Sequence, residues 1–195
     1  MRDFIFIIGP SGVGKTTLAK HLFAHYKSVY IEQNMIPEFL TLDGETEMTG
    51  AFEEETCWSN TVALLKNFNK LGYKNVIGLD FDDLRTRDIP EVFKGYNYIT
   101  IKLISSSYEQ NLNQMRNRGA GGLVDTELLE KMYLKIPTRK LLINEFEIDV
   151  QGKNPTQVMH EAVRLIENGV TSVDYEYIKP SKEEFYSWVF SNGLR

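Results

Sequence analysis

Five consecutive apolar residues, Phe4 to Ile8, run directly into Gly9-Pro10-Ser11-Gly12-Val13-Gly14-Lys15-Thr16, and behind that loop Leu18, Leu22 and Phe23 recur at helical spacing. An unbroken apolar run of this length is the mark of a strand buried on both faces of a parallel sheet. The loop matches GxxxxGK followed by Ser or Thr, and it lies between a buried strand and an amphipathic helix, where that pattern means phosphate binding. Glycines let successive N–H groups turn inward, and the helix N-terminus adds partial positive charge, so the loop forms a nest for β- and γ-phosphate oxygens. Lys15 brings a full positive charge. The Thr16 hydroxyl is the expected protein ligand of a phosphate-bridging Mg2+, with Thr17 beside it in the first turn.

The remainder of the chain repeats the alternation of strand and helix. Ser28 to Glu32, Asn75 to Leu79, Tyr98 to Ile104 and Leu141 to Val150 read as further strands. Val62, Leu65, Phe68 and Leu71 share one helical face that Gly72 should end, whereas Pro37 to Gly50 has no clean period. Asp83 to Phe93 is a weak helix broken by Pro90, and Tyr108 to Arg118 is helical up to Gly119-Ala120-Gly121-Gly122, which reads as the hinge of a flap. Asn154-Pro155 opens a helix carrying Val158, Ala162, Leu165 and Ile166, and Ser181 with Glu184 forms a capping box for a last one. Strands joined through helices imply right-handed crossovers, hence a doubly wound α/β fold with a five-stranded parallel sheet in one domain spanning residues 1–195. The tail over 170–195, rich in Tyr, Phe and Trp, is expected to pack on the body or on a second subunit in a homodimer.

Charge and cysteine content exclude several function classes. With 22 Lys+Arg against 27 Asp+Glu, the net charge is −5, and nucleic acid, which binds by displacement from a basic surface, is disfavoured as a partner. Cys57 is the only cysteine, so no internal disulfide can form, and it reads as a small buried apolar residue. The run Phe4–Ile8 is too short to cross a membrane and starts too early to follow a targeting segment, so a cytoplasmic location is expected. A GTPase is also disfavoured. The only Asn-Lys pair, Asn69-Lys70, lies inside a predicted helix, and Asp149-Val150-Gln151-Gly152 spells DxxG after the fifth strand, where a metal-proximal switch would be misplaced.

Over most of residues 3 to 168 the layout resembles the small P-loop kinases, which include nucleoside and nucleotide kinases, shikimate kinase and gluconate kinase. The resemblance implies a strand order of 2-3-1-4-5, ATP and Mg2+ as cofactors, and an acceptor segment within about Asn34 to Trp58. It also implies a small helical lid over about 116–136 that carries arginines. Arg118, with Arg116 beside it, fits that role, because a transferring phosphoryl group spreads negative charge over its oxygens. Arg139 is a weaker candidate. The expected activity is phosphoryl transfer from ATP to a small molecule, first a nucleoside or nucleotide. Alternatives are another hydroxyl, such as a sugar acid, an antibiotic or a nucleic-acid 5′ end, or a regulatory module that binds ATP without transfer.

Transfer needs a carboxylate near the attacking hydroxyl and another in the metal shell. Glu32 stands where the second strand leaves the sheet, the edge at which open α/β folds bind ligands. Relatives of the shikimate and gluconate type resemble this position with a DxD-like pair, whereas the pair here is Glu32 with Asn34, which suits the nucleoside type. The third strand ends in Asp80-Phe81-Asp82-Asp83, like a Walker B end, so Asp80 or Asp82 should serve the metal, with Arg85 and Arg87 available to neutralise the cluster. Phe39, Phe52, Trp58 and Tyr73 are candidates for stacking on a nucleobase, although aromatics in such positions mostly belong to a core.

Overall fold

In a computed structural model, residues 1–79, 83–107, 109, 112–113, 130, 133 and 136–185 are described. The strands are β1 (Phe4–Ile8), β2 (Tyr30–Glu32), β3 (Val76–Leu79), β4 (Tyr98–Ile104) and β5 (Glu145–Asp149). All pairings are parallel, in the order β2-β3-β1-β4-β5. The helices are α1 (Lys15–Tyr26), α2 (Gly50–Lys70), α3 (Ile89–Val92), α4 (Pro155–Asn168) and α5 (Lys182–Phe185), with 3-10 turns at Gln33–Met35, Asp83–Asp88 and Ile136–Thr138.

β1 explains the two-layered core. Its odd residues, Ile5 and Ile7, join Leu18 and Leu22 of α1 and Ala162 and Ile166 of α4. Its even residues, Phe4, Phe6 and Ile8, join Trp58 and Leu65 of α2, with Ile89 and Phe93. Period-two alternation thus sends every β1 side chain into one of two apolar layers, which is why the strand reads as a continuous apolar run. Phe93 meets Phe4 and Phe6 edge-on at centroid distances of 4.8 and 4.7 Å, in the arrangement that aromatic quadrupoles favour. Gly78 makes room for α2: a Cβ there would lie 3.1 Å from Leu65 Cδ1.

Some boundaries differ from those read in the sequence. α2 begins at Gly50, well before the apolar face of Val62 to Leu71, because Thr49 accepts a hydrogen bond from the Phe52 amide and caps the helix. Of that face Leu65 is fully buried while Leu71 is 66% exposed at the helix end. The fifth strand starts at Glu145 instead of Leu141. Asn144 is left-handed at φ 59, and the Leu142 carbonyl and amide are both bonded back to Glu145, so that stretch is a turn. Pro90 does not break a helix. It falls in the first turn of α3, where its missing N–H costs nothing, after a separate 3-10 turn. Asn154 and Gln157 form a reciprocal capping box at the start of α4.

Past α4 the chain returns across the body. Arg2 donates to the carbonyls of Ile166 and Gly169 at 2.8 and 2.5 Å. Tyr175 Oη donates to the Pro90 carbonyl at 2.7 Å, and Tyr177 Oη to that of Arg87 at 2.8 Å. Lys179 pairs with Asp88 at 2.5 Å, and the Arg139 guanidinium lies 4.8 Å from the ring centroid of buried Phe185. Most of the expected lid and residues 186–195 lie outside the described residues.

Candidate active site

Three strands deliver the site to one edge of the sheet. β1 ends at Ile8 and feeds the phosphate-binding loop, while Glu32 ends β2 in register with Leu79 of β3, which is itself in register with Ile7. Adjacent strands are about 4.8 Å apart, so Glu32 Cα stands about 10 Å from that of Ile7, two strands away. Glu32 shares the sheet face of Leu79 and Ile7, the face that α1 covers. At Asp80 and Asp82 the third strand leaves the described residues.

The loop has the backbone that its glycines demand. Gly9, Gly12 and Gly14 have φ of 140, 83 and 106. At Gly9 the constraint is double, because a Cβ would lie 2.4 Å from the Leu103 carbonyl oxygen of β4. Pro10, Gly12 and Val13 are buried, while Ser11, Thr16 and Lys15 are half-buried and Thr17 is exposed. Lys15 Nζ donates to the carbonyls of Gly9 and Pro10 at 2.9 and 3.2 Å, bridging the loop. α2 and α4 carry side-chain caps, but α1 starts from left-handed Gly14 with no side-chain cap and no acidic residue in its first turn. Its leading amides and dipole therefore face the loop, as anion binding requires.

Among the described residues Glu32 is one of four with a buried side-chain polar atom that lacks a hydrogen-bond partner, and it is the one at the loop edge of the sheet. The residue is only 6% exposed, and its buried Oε1 has no hydrogen-bond partner. A buried carboxylate oxygen without a partner is costly and is retained where a ligand completes it. Its chemistry fits a hard cation, a metal-bound water or a substrate hydroxyl. Thr16, half-buried in the first turn of α1, brings a hydroxyl to the same end of the sheet, so the residues present fit Mg2+ with a nucleotide. Among the described residues no group of three or more acidic, His or Cys side chains is placed to hold a metal ion, so Glu32 would act beside the Thr16 hydroxyl and the phosphates of the nucleotide.

Other candidates are sorted by their position. Arg116 and Arg118 lie outside the described residues. Arg139 clamps Glu145 through two bonds of 2.8 and 2.5 Å. Glu145 opens β5, so this pair sits at the edge opposite the loop and is structural. Arg85 pairs with Glu55 at 2.8 Å and with Asp88 at 3.3 Å, and Arg87 donates to the Pro180 carbonyl at 2.6 Å. Trp58 and Cys57 are buried in α2, and Tyr73, which precedes β3, is also at the opposite edge. Phe39 and Phe52 do meet, 6.4 Å between centroids, on the segment that follows Glu32. Asp149 accepts from the Ser106 and Gln151 amides at 3.2 and 2.9 Å, tying the ends of β4 and β5 together, and so its DxxG spelling is a turn. Burial pushes this carboxyl up, but those bonds outweigh it and hold it below the usual carboxylate range.

One buried cation escaped the sequence reading. Lys102 of β4 is fully buried beside Ile8, 3.0 Å from Glu147 Oε2 of β5. An isolated lysine in an apolar run gives no sign of its partner, because the register that supplies Glu147 is set by the tertiary fold.

No protein-family model matches the sequence, and no curated protein does. Solved structures do match. An unliganded sugar kinase from Janibacter sp. HTCC2649 superposes with a TM-score of 0.61 at 13% identity, covering 85% of this chain and 95% of its own. A deoxyadenosine kinase from M. mycoides gives 0.56 at 16% identity, over 84% and 98% of the two chains. A gluconokinase from Sinorhizobium meliloti 1021 gives 0.55 at 16%, over 84% and 93%. Identity at this level speaks for architecture alone, and the superpositions take in 84–85% of this chain and 93–98% of the three neighbours. The chain has the fold of the P-loop small-molecule kinases.

Proposed function

We propose that this protein is an ATP- and Mg2+-dependent phosphotransferase whose acceptor is a nucleoside or nucleotide. The observation that carries the reading is a phosphate-binding loop on an uncapped helix with a buried, unpartnered carboxylate two strands away. Amides of residues 11–16 bind the β- and γ-phosphates, and Lys15 exchanges its loop carbonyls for phosphate oxygens. Thr16, with Asp80 or Asp82, holds the metal, whose bound form supplies charge neutralisation at the phosphate oxygens. Glu32 orients the acceptor hydroxyl and takes its proton as the new P–O bond forms. The bond from the γ-phosphorus to its bridging oxygen breaks, and that oxygen leaves with ADP. Arg118 and Arg116 steady the charge on the transferring group from the lid. Among the described residues no helix is long and apolar enough to cross a membrane, and the lone thiol fits a reducing cytoplasm.

The test is an ADP-release assay with ATP and Mg2+ across nucleosides, nucleoside monophosphates, sugar acids and aminoglycosides, run beside Lys15→Ala. Acceptor-dependent release that vanishes in a folded variant is the expected outcome. ATP binding without release above background for any acceptor would instead make the protein a nucleotide-responsive module.

A further inference from the structure

From Ser28 to Leu65 the chain holds eight acidic residues and no Lys, Arg or His, a charge of −8, so the remainder of this −5 protein carries +3. The segment starts just before β2, runs through Glu32 at the end of that strand and continues into α2 as far as Leu65. Glu38, Glu45, Glu47 and Glu53 are exposed there. Of the acidic groups in α2, Glu55 is neutralised from outside the segment, by Arg85 at 2.8 Å. Asp43 serves the turn, accepting from Thr41 Oγ1 at 2.9 Å and from the amides of Glu45 and Thr46. The apolar surface of the segment is also unusually open. Leu40 and Leu42 are 75% and 102% exposed, next to the Phe39 and Phe52 ring pair.

Recognition of a phosphate or carboxylate on an acceptor relies on cations, above all on the bidentate guanidinium fork. This segment offers none. It adds a field of one sign, and the buried Glu32 Oε1, lacking a hydrogen-bond partner, places one more negative group at the point where the acceptor hydroxyl would arrive. Like-charge juxtaposition rejects a ligand strongly, whereas opposite charge concentrates it. We infer that the acceptor is an uncharged or cationic hydroxyl compound with an apolar or aromatic face, and that nucleoside monophosphates and sugar acids are rejected. This rests on the phosphotransferase reading and narrows it from nucleoside or nucleotide to the unphosphorylated member.

Matched probes that differ in charge test the inference by binding, apart from turnover. Calorimetry uses the full chain with excess ADP and Mg2+, so that the phosphate-binding loop is filled. The probes are deoxycytidine beside its 5′-monophosphate, the series glucosamine, glucose and gluconate, and kanamycin as a polycationic alcohol. The expected result is affinity falling as negative charge is added, by at least about tenfold between deoxycytidine and its monophosphate. The gap should narrow in Glu38→Gln/Glu45→Gln/Glu47→Gln, whose altered side chains are all exposed, and also as salt shortens the screening length below about 8 Å. A monophosphate or gluconate bound as tightly as its uncharged counterpart, a gap untouched by the triple variant, or no binding by any uncharged or cationic probe overturns it. ADP release from ATP with the same probes is measured separately. Charge-ordered binding without release upholds the charge selectivity of the site but sinks phosphoryl transfer, the bound compound then being a ligand and not an acceptor; release with anionic acceptors alone upholds transfer and overturns the selectivity.

Discussion

Glu32→Gln should make the protein more stable and less active together. In the ligand-free fold this carboxylate is 6% exposed with an unpartnered buried oxygen, and its own segment holds no cation. A buried, unpaired charge costs several kcal/mol after relaxation, whereas an unsatisfied neutral amide of the same shape costs about 1–3 kcal/mol. The substitution should therefore add about 1–2 kcal/mol of stability. For a chain of this size each kcal/mol moves Tm by roughly 2–4 °C, so a rise of roughly 2–8 °C is expected in thermal unfolding without nucleotide or metal. Acceptor-dependent ADP release should fall by about 10²-fold or more, as removal of a general base does. A residue kept for function at a cost in stability gives this pair of changes. A lower Tm with undiminished ADP release would show Glu32 to be a structural carboxylate and would refute the reasoning.

Gly9→Ala should strain the loop, because its φ of 140 is left-handed and the new Cβ would meet the Leu103 carbonyl oxygen at 2.4 Å; a loss of about 2–4 kcal/mol in denaturant unfolding and of ATP binding by calorimetry is expected. Arg139→Ala should cost about 3–5 kcal/mol, since Glu145, whose side chain is 1% exposed, would keep its charge without its bidentate partner. Turnover of the fraction still folded should persist, because that pair lies at the edge away from the site. Asp3 gives a pH signature. Burial pushes its carboxyl up, but hydrogen bonds from Lys74, the Asn97 amide and Asn69 outweigh that and hold it below the usual range. A carboxyl lowered in the folded state adds stability above its unfolded value of about 3.9 and loses it as pH falls through the folded value. The advantage of wild type over Asp3→Asn in urea midpoint should accordingly be full near pH 7 and shrink below about pH 4.

The sheet and the phosphate-binding loop were legible because both are local. Phe4–Ile8 announces a doubly buried strand, and the glycine spacing that follows admits few backbones. β4 matches its expected span, Tyr98–Ile104, for the same reason. Positions decided by distant partners were less visible. Leu141 reads as strand until Asn144 is seen bonded to Ser172, and the start of α2 depends on Thr49, a cap without an apolar period behind it. Glu32 could be placed at the ligand edge from sequence, but its lack of a buried partner needed the packing of β2 on β3. The segment's one-sided charge was present in the residue order, and it acquired meaning once that segment was seen to lead away from Glu32.

Phosphoryl transfer itself is followed most directly with ATP labelled at the γ-phosphate, incubated with the protein, Mg2+ and each acceptor, and the products separated. Label in an organic phosphate, formed by wild type and absent with Lys15→Ala, is the predicted result. Label that stays in ATP, or appears only as inorganic phosphate whatever acceptor is present, would contradict a kinase and leave a nucleotide-binding protein built on the same fold.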